Sequence, residues 1–163
     1  MAFIFVISFL VLQRLAELVI ARSNERWLLK KGAVEYGHDH YKWIVLMHTA
    51  FIASLILDYL WRDSVTVNYF FLAVYFVLVA VKAWVIYSLG RYWNTKIFRV
   101  PGTPPVRRGL YKFIKHPNYV IVVLELLIIP LIFGLFVTAA IFTVLNAMVL
   151  SIRIKEENKV WAH

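Results

Sequence analysis

"YVIVVLELLIIPLIFGLFVTAAIFTVLNAMVLSI", residues 119–152, is apolar almost from end to end. A bilayer core is crossed by about 20 helical residues, so this run is too long for a single crossing. Pro130 and Gly134 fall near its middle, where a missing backbone donor and a freed backbone interrupt a helix. The stretch therefore predicts two short helices, about 119–133 and 135–152, closed as a tight hairpin. Three further runs, 1–21, 43–62 and 68–89, are each long and apolar enough to cross. The expected fold is all-α: one polytopic membrane bundle of five transmembrane helices over residues 1–163. Its three-span part covers 1–89; a loop, the hairpin and a tail fill 90–163.

Composition agrees. Hydrophobic residues are 62% of the chain and the mean hydropathy is +0.73, whereas soluble domains carry about 45–50% apolar residues. No cationic segment precedes the first run and no small-residue cleavage site follows it, so that span is expected to be retained rather than removed as a signal peptide. The absence of cysteine excludes disulfides and thiolate metal sites. A net charge of +9 raises the possibility of nucleic acid, but the placement of the cations argues against that partner. Arg22, Arg26, Lys30, Lys31 and Lys42 lie in one loop. Arg91, Lys96, Arg99, Arg107, Arg108, Lys112 and Lys115 lie in another, and Arg153, Lys155 and Lys159 in the tail. The opposite side carries Arg62 alone. The positive-inside rule then puts the N-terminus outside and the C-terminus in the cytoplasm, and the basic loops face anionic headgroups.

Arg14, Glu17, Lys82 and Glu125 fall inside the predicted spans, where ionisable groups are costly and turn toward the bundle interior. Counted from their cytoplasmic ends, Arg14, Lys82 and Glu125 lie about 10–12 Å deep at 1.5 Å per residue. Glu17 shares a face with Arg14. Two readings follow: a neutral ion-pair cluster that fixes helix packing, or a polar pocket in which Glu125 or Arg14 meets a substrate. Asp58 should reach the outer interface, and His48 reads as a hydrogen-bonded packing residue. His38 and His40 sit in a polar stretch with no helical His/Glu pair at ligand spacing, so no metal site is expected.

Just ahead of the opening stretch lies "RRGLYKFIKHPNY", residues 107–119. Upstream, "RVPGTPP" should be extended or turning because Pro101, Pro104 and Pro105 exclude regular helix. Gly109 permits close backbone approach. His116-Pro117 stops the chain at the start of the fourth span, with Asn118 expected as its N-cap. The free N–H groups there suit a carboxylate or other anion. After the fifth span, "SIRIKEENKVW" puts Arg153 and Glu157 on one helix face. An antiparallel hairpin would bring that pair to the same mouth as His116 and Tyr119.

The ordered combination of "RRGLYKFIKHPNY", two short spans and "RIKEEN" resembles the isoprenylcysteine carboxyl methyltransferase family of integral-membrane enzymes. That family has G-x-Y leading into R-H-P-x-Y, and R-x-x-E-E after the last spans. The matching positions here are Gly109, Tyr111, His116, Pro117, Tyr119, Arg153, Glu156 and Glu157. The resemblance covers roughly 90–163, and "ARSNERWLLKKGAVEYGHDHY" looks like the first cytoplasmic loop of small bacterial members. Lys115 stands where the family usually has arginine, and the sequence ends at Trp161-Ala162-His163 without the longer tail of eukaryotic members.

The resemblance implies S-adenosylmethionine as methyl donor, S-adenosylhomocysteine as product, and no Rossmann domain; the sequence indeed has no G-x-G-x-x-G after a strand. By motif position the donor would contact Thr103, Pro104, Pro105 and Val106, then Tyr111, then His116, Pro117, Asn118 and Tyr119, and finally Glu157. Arg153 would face the acceptor. A carboxylate acceptor is already ionised; a hydroxyl needs a base, for which Glu125, two turns below His116, is the candidate. The acceptor should be a lipophilic small molecule reached from the bilayer: first a long-chain alkylpyrone or similar polyketide lipid, second a prenylated or other lipid carboxylate. The site would face the cytoplasm from a bacterial plasma membrane. Phospholipid N-methylation, or a non-enzymatic transporter or scaffold, are the competing readings.

Overall fold

The computed structural model describes residues 1–161; Ala162 and His163 lie outside the described residues. Five α-helices carry the described chain: α1 (Ala2–Lys30), α2 (His38–Leu60), α3 (Tyr69–Leu89), α4 (Pro117–Leu131) and α5 (Phe136–Trp161). Four of them, α1, α2, α3 and α5, are long and apolar enough to cross a membrane, and α4 is a shorter apolar helix. The fold is all-helical apart from a two-stranded ladder, β1 (Val34–Tyr36) against β2 (Ile97–Arg99). Large apolar side chains such as Leu46, Val77, Trp84 and Val144 are exposed, while Glu17, Lys82, Glu125 and Arg153 are buried. That inversion of the soluble pattern suits hydrocarbon as the surrounding solvent.

Helix ends depart from the sequence reading for local reasons. α1 continues past residue 21 to Lys30 because no breaker intervenes before Gly32, which takes φ +77. α5 likewise runs on through "RIKEENK", whose residues are good helix formers. The ladder was not expected; strands of three residues are too short to show an alternating pattern. The Asn118 expectation is corrected. α4 begins at Pro117, the first-turn position proline fits, so His116 takes the N-cap place and Asn118 lies inside the helix. At its other end Pro130 stays in the last turn, and Gly134, with φ +66, turns the chain into α5.

α4 packs between α3 and α5, and α5 also lies against α2. Asn68 caps α3 by accepting from the amides of Phe70 and Phe71, and its own amide donates to the Ile132 carbonyl at 2.8 Å, tying α3 to the α4–α5 turn. Lower in the bundle the four charges meet. Arg14 pairs with Glu125 at 2.8 Å and Glu17 at 2.9 Å; Lys82 pairs with the same carboxylates at 2.7 and 2.8 Å. Gln13 donates to both acids and accepts from Tyr75. Two cations and two anions therefore close a neutral cluster across α1, α3 and α4. His48 bonds the Ile44 carbonyl one turn back at 2.9 Å, as a packing residue would.

Candidate active site

Folding α5 back on α4 brings together side chains far apart in sequence. The Tyr119 hydroxyl donates to Glu157 Oε2 at 2.6 Å and accepts from Arg153 Nε at 2.8 Å. Arg153, only 6% exposed, also donates from Nη2 to the Thr95 carbonyl at 2.6 Å and lies over the Tyr119 ring. His116 stacks on that ring with centroids 5.1 Å apart, and its Nδ1 stands 3.4 Å from Glu157 Oε2. One phenol thus organises an imidazole, a carboxylate and a guanidinium. Lys115 adds a second tie, donating to Asn158 at 2.5 Å.

A cavity of about 340 Å³ opens beside this assembly. Thr103, Pro104, Pro105 and Val106 form one side of it; Tyr111, His116, Asn118 and Tyr119 line it from the chain entering α4, and Glu157 from α5. Pro117 is buried in the first turn and shapes that turn without lining the cavity. Arg153 sits behind Tyr119, off the wall, and Glu125 lies below in the ion cluster. The candidate positions are therefore gathered in one place except Glu125, whose carboxylate accepts from Arg14, Lys82 and Gln13.

Burial pushes the His116 imidazole below its usual pKa of 6.5; nearby Glu157 opposes this, while Lys115 and Arg153 reinforce it. The ring is neutral at pH 7. Its Nε2 and the Oδ1 of Asn118 are buried without a partner. Burial, helped by the Glu157 charge, raises the Tyr111 hydroxyl and keeps it protonated.

Sequence reasoning missed the other half of the wall. Trp93, Lys96, Ile97 and Arg99 also face the cavity, on a segment that reads in sequence as a basic connecting loop. α1 places it. Asn24 donates to the carbonyls of Gly90 and Trp93 at 3.3 and 2.7 Å, and Asn94 returns a bond to the Ala21 carbonyl. Lys96 is held between Glu25 and Glu35 at 2.9 and 3.3 Å. Burial alone would lower its pKa, but these two carboxylates raise it instead. Arg99 donates to the Val160 carbonyl, joining the ladder to the end of α5. The paired asparagines near both ends of the contact were the available signal, but a single sequence gives no reason to join them.

One more residue went unremarked. Asn146 is 1% exposed and its Nδ2 has no partner. It lies seven residues before Arg153 and on the same face of α5, two turns deeper.

Residues 69–163 match the family model described as the isoprenylcysteine carboxyl methyltransferase (ICMT) family. The chain belongs to this family. The matched region begins at α3 and contains all of the cavity except its α1 wall. The chain is also similar to relatives along nearly its whole length. It is 44% identical to the uncharacterized protein YpbQ of Bacillus subtilis (strain 168), over 94% of this chain and 92% of that one. It is 29% identical to an uncharacterized protein of Haemophilus influenzae, over 92% of this chain and 89% of the other. No solved structure matches the chain. ICMT-family membership, together with the apolar helices, supports an integral membrane protein with methyltransferase activity.

Methyltransferases of the ICMT family generally use S-adenosylmethionine, and the residues present fit that group. The volume lies within the roughly 300–1,000 Å³ of small-molecule sites. The wall offers one carboxylate, Glu157, for an ammonium. It offers apolar surface from Leu28, Ile97, Pro104 and Val106 for a nucleobase, and buried polar atoms still lacking partners, Trp93 Nε1, His116 Nε2 and Asn118 Oδ1.

Proposed function

We propose that the protein transfers a methyl group from S-adenosylmethionine to an oxygen of a lipophilic acceptor, at the cytoplasmic face of a bacterial plasma membrane. In this reading all five helices cross, with the N-terminus outside. The observation that carries it is the Arg153–Tyr119–Glu157 chain of hydrogen bonds at the cavity, which joins the start of α4 to the end of α5.

When bound, S-adenosylmethionine supplies an electrophilic methyl group on a sulfonium. The protein's contribution is chiefly to position the reactants and exclude water. Glu157 holds the ammonium by a charge-assisted bond, and the Asn118 backbone N–H at the start of α4 receives the carboxylate, since Pro117 has no N–H and the Tyr119 and Val120 amides already donate to the His116 carbonyl. Thr103 to Val106, with Tyr111, His116 and Pro117, shape the enclosure. Arg153 faces the acceptor. Of five guanidinium N–H groups, one goes to Tyr119 and one to Thr95, and the three left can hold an oxyanion. Asn146, deeper on the same face, marks a polar point along an acceptor path between helices.

This arrangement favours an acceptor that is already ionised, because Glu125 is engaged by three donors and acts here by anchoring the helices beneath the site. The hydroxyl of a long-chain alkylpyrone, a vinylogous acid, meets that requirement and is the first candidate; a prenylated or other lipid carboxylate is the second. An amine acceptor, as in phospholipid N-methylation, would place a nascent cation beside Arg153. The test is methyl transfer from labelled S-adenosylmethionine into membrane lipid extracts, with mass spectrometry of the labelled product. An O-methylated lipid is expected. Label on a headgroup amine would replace this reading with N-methylation, and absence of S-adenosylhomocysteine binding at millimolar ligand would end it.

A further inference from the structure

A second cleft lies outside the methyl-donor cavity, on the outer surface where the Leu89 end of α3 meets the segment leading to α4. Trp84, Tyr87 and Ser88 of α3 form one side, and Arg108 and Gly109 the other. Residues 84, 87 and 88 share one face of the helix, and that face points away from the bundle: Trp84 is 50% and Tyr87 85% exposed. Gly109 makes the approach possible. It adopts φ +54, and a Cβ there would overlap Ser88.

The donor inventory defines what the cleft can take. Ser88 Oγ is already committed to the Trp84 carbonyl. The Trp84 indole N–H, the Tyr87 hydroxyl and the Arg108 guanidinium have no hydrogen-bond or ion-pair partner among the described residues. No acidic residue lines the cleft. Phe113, further along the same segment, is 85% exposed. A cation, two neutral donors and bare aromatic surface at the end of an apolar helix match one kind of ligand. It carries an oxyanion and continues into hydrocarbon.

We propose that this cleft binds an anionic phospholipid, its phosphate held by Arg108, Trp84 Nε1 and Tyr87, with its acyl chains running along α3. The site is separate from the methyl-donor cavity, and its occupancy does not depend on the methyltransferase reading. It bears on that reading only by position: Arg108 immediately precedes the turn Gly109–Lys112 that carries Tyr111 into the cavity wall.

The test is native mass spectrometry of the full chain released from detergent, titrated with phosphatidylglycerol or phosphatidylcholine. Preferential retention of phosphatidylglycerol is expected. Arg108→Gln should weaken it about tenfold, the scale of one charge-assisted hydrogen bond. Trp84→Phe, which keeps the ring and removes the N–H, should weaken it less and carries the test should Arg108→Gln fail to fold. Arg22→Gln, a cation on exposed α1 surface, should leave it unchanged. Equal retention of the two lipids, or equal loss in Arg22→Gln and Arg108→Gln, would overturn the proposal by reducing it to general surface charge. Competition by glycerol phosphate as effective as by the lipid would overturn it in favour of a soluble phosphate site.

Discussion

Glu157→Gln separates the two functions proposed for the α5 motif. The substitution keeps the shape of the side chain and its capacity to accept from Tyr119, whose hydroxyl lies 2.6 Å away, but removes the charge proposed to pair with the ligand ammonium. Hydrogen bonds to charged groups contribute about 1.5–3 kcal/mol. The Glu157 side chain is 23% exposed, so water screens the pair and the lower half of that range applies. A loss of about 1.5–2 kcal/mol corresponds to a dissociation constant raised roughly 10- to 30-fold. Calorimetric titration of S-adenosylhomocysteine into protein in lipid nanodiscs reads this directly. Arg153→Ala, by contrast, removes the bonds to Tyr119 and Thr95 on the acceptor side of the phenol. It should change the same constant by less than about threefold while sharply lowering kcat/KM for the acceptor. A Glu157→Gln change within about twofold of wild type, or equal losses of donor affinity in both variants, would refute the assignment.

Glu125→Gln leaves Arg14 and Lys82 sharing Glu17 alone; breaking a buried pair costs about 3–5 kcal/mol, so the melting temperature in detergent should fall while the pH–rate profile keeps its shape. A shifted profile with unchanged melting would instead make Glu125 a base. S-adenosylhomocysteine affinity should decline as pH falls through the lowered pKa of His116, because a protonated His116 competes for Glu157 and repels the ligand's ammonium; His116→Gln should flatten that dependence. The sign is the same for folding. Burial lowers the folded-state pKa, so stability is present above the unfolded value and is lost as pH drops through the folded one. Gly109→Ala, strained at φ +54 and crowded by Ser88, should displace Tyr111 and weaken S-adenosylhomocysteine binding in the same titration, with wild-type affinity arguing against a fixed loop.

The helices were legible because hydrocarbon imposes a length and a polarity on any segment that crosses it, and Pro130 with Gly134 marks the turn between α4 and α5 directly. The buried charges were legible too, since their depths can be counted from the ends of their spans. What the sequence hid was pairing across loops. Asn24 with Trp93, Lys96 with Glu25 and Glu35, and the β1–β2 register involve single polar residues or three-residue strands, which carry no periodicity. Asn118 was misassigned because both it and His116-Pro117 are plausible helix starts. Proline settles the matter by occupying the first turn itself.

The two polar regions of the interior differ in a way that assigns them different tasks. In the cluster around Glu125 every buried donor and acceptor finds a partner, and the formal charges of Arg14, Lys82, Glu17 and Glu125 cancel. Such a cluster has no spare capacity for a ligand, and its rigidity suits a floor beneath a site. The unsatisfied groups lie elsewhere: Trp93 Nε1, His116 Nε2 and Asn118 Oδ1 belong to residues lining the cavity above it, and Thr143 Oγ1 and Asn146 Nδ2 lie on α5, deeper than Arg153. Buried polar atoms left without partners cost about 1–3 kcal/mol each and are few in native proteins. Their concentration at one cavity and along the helix bearing Arg153 is the pattern expected where ligands complete the hydrogen bonding, the donor in the cavity and the acceptor along α5.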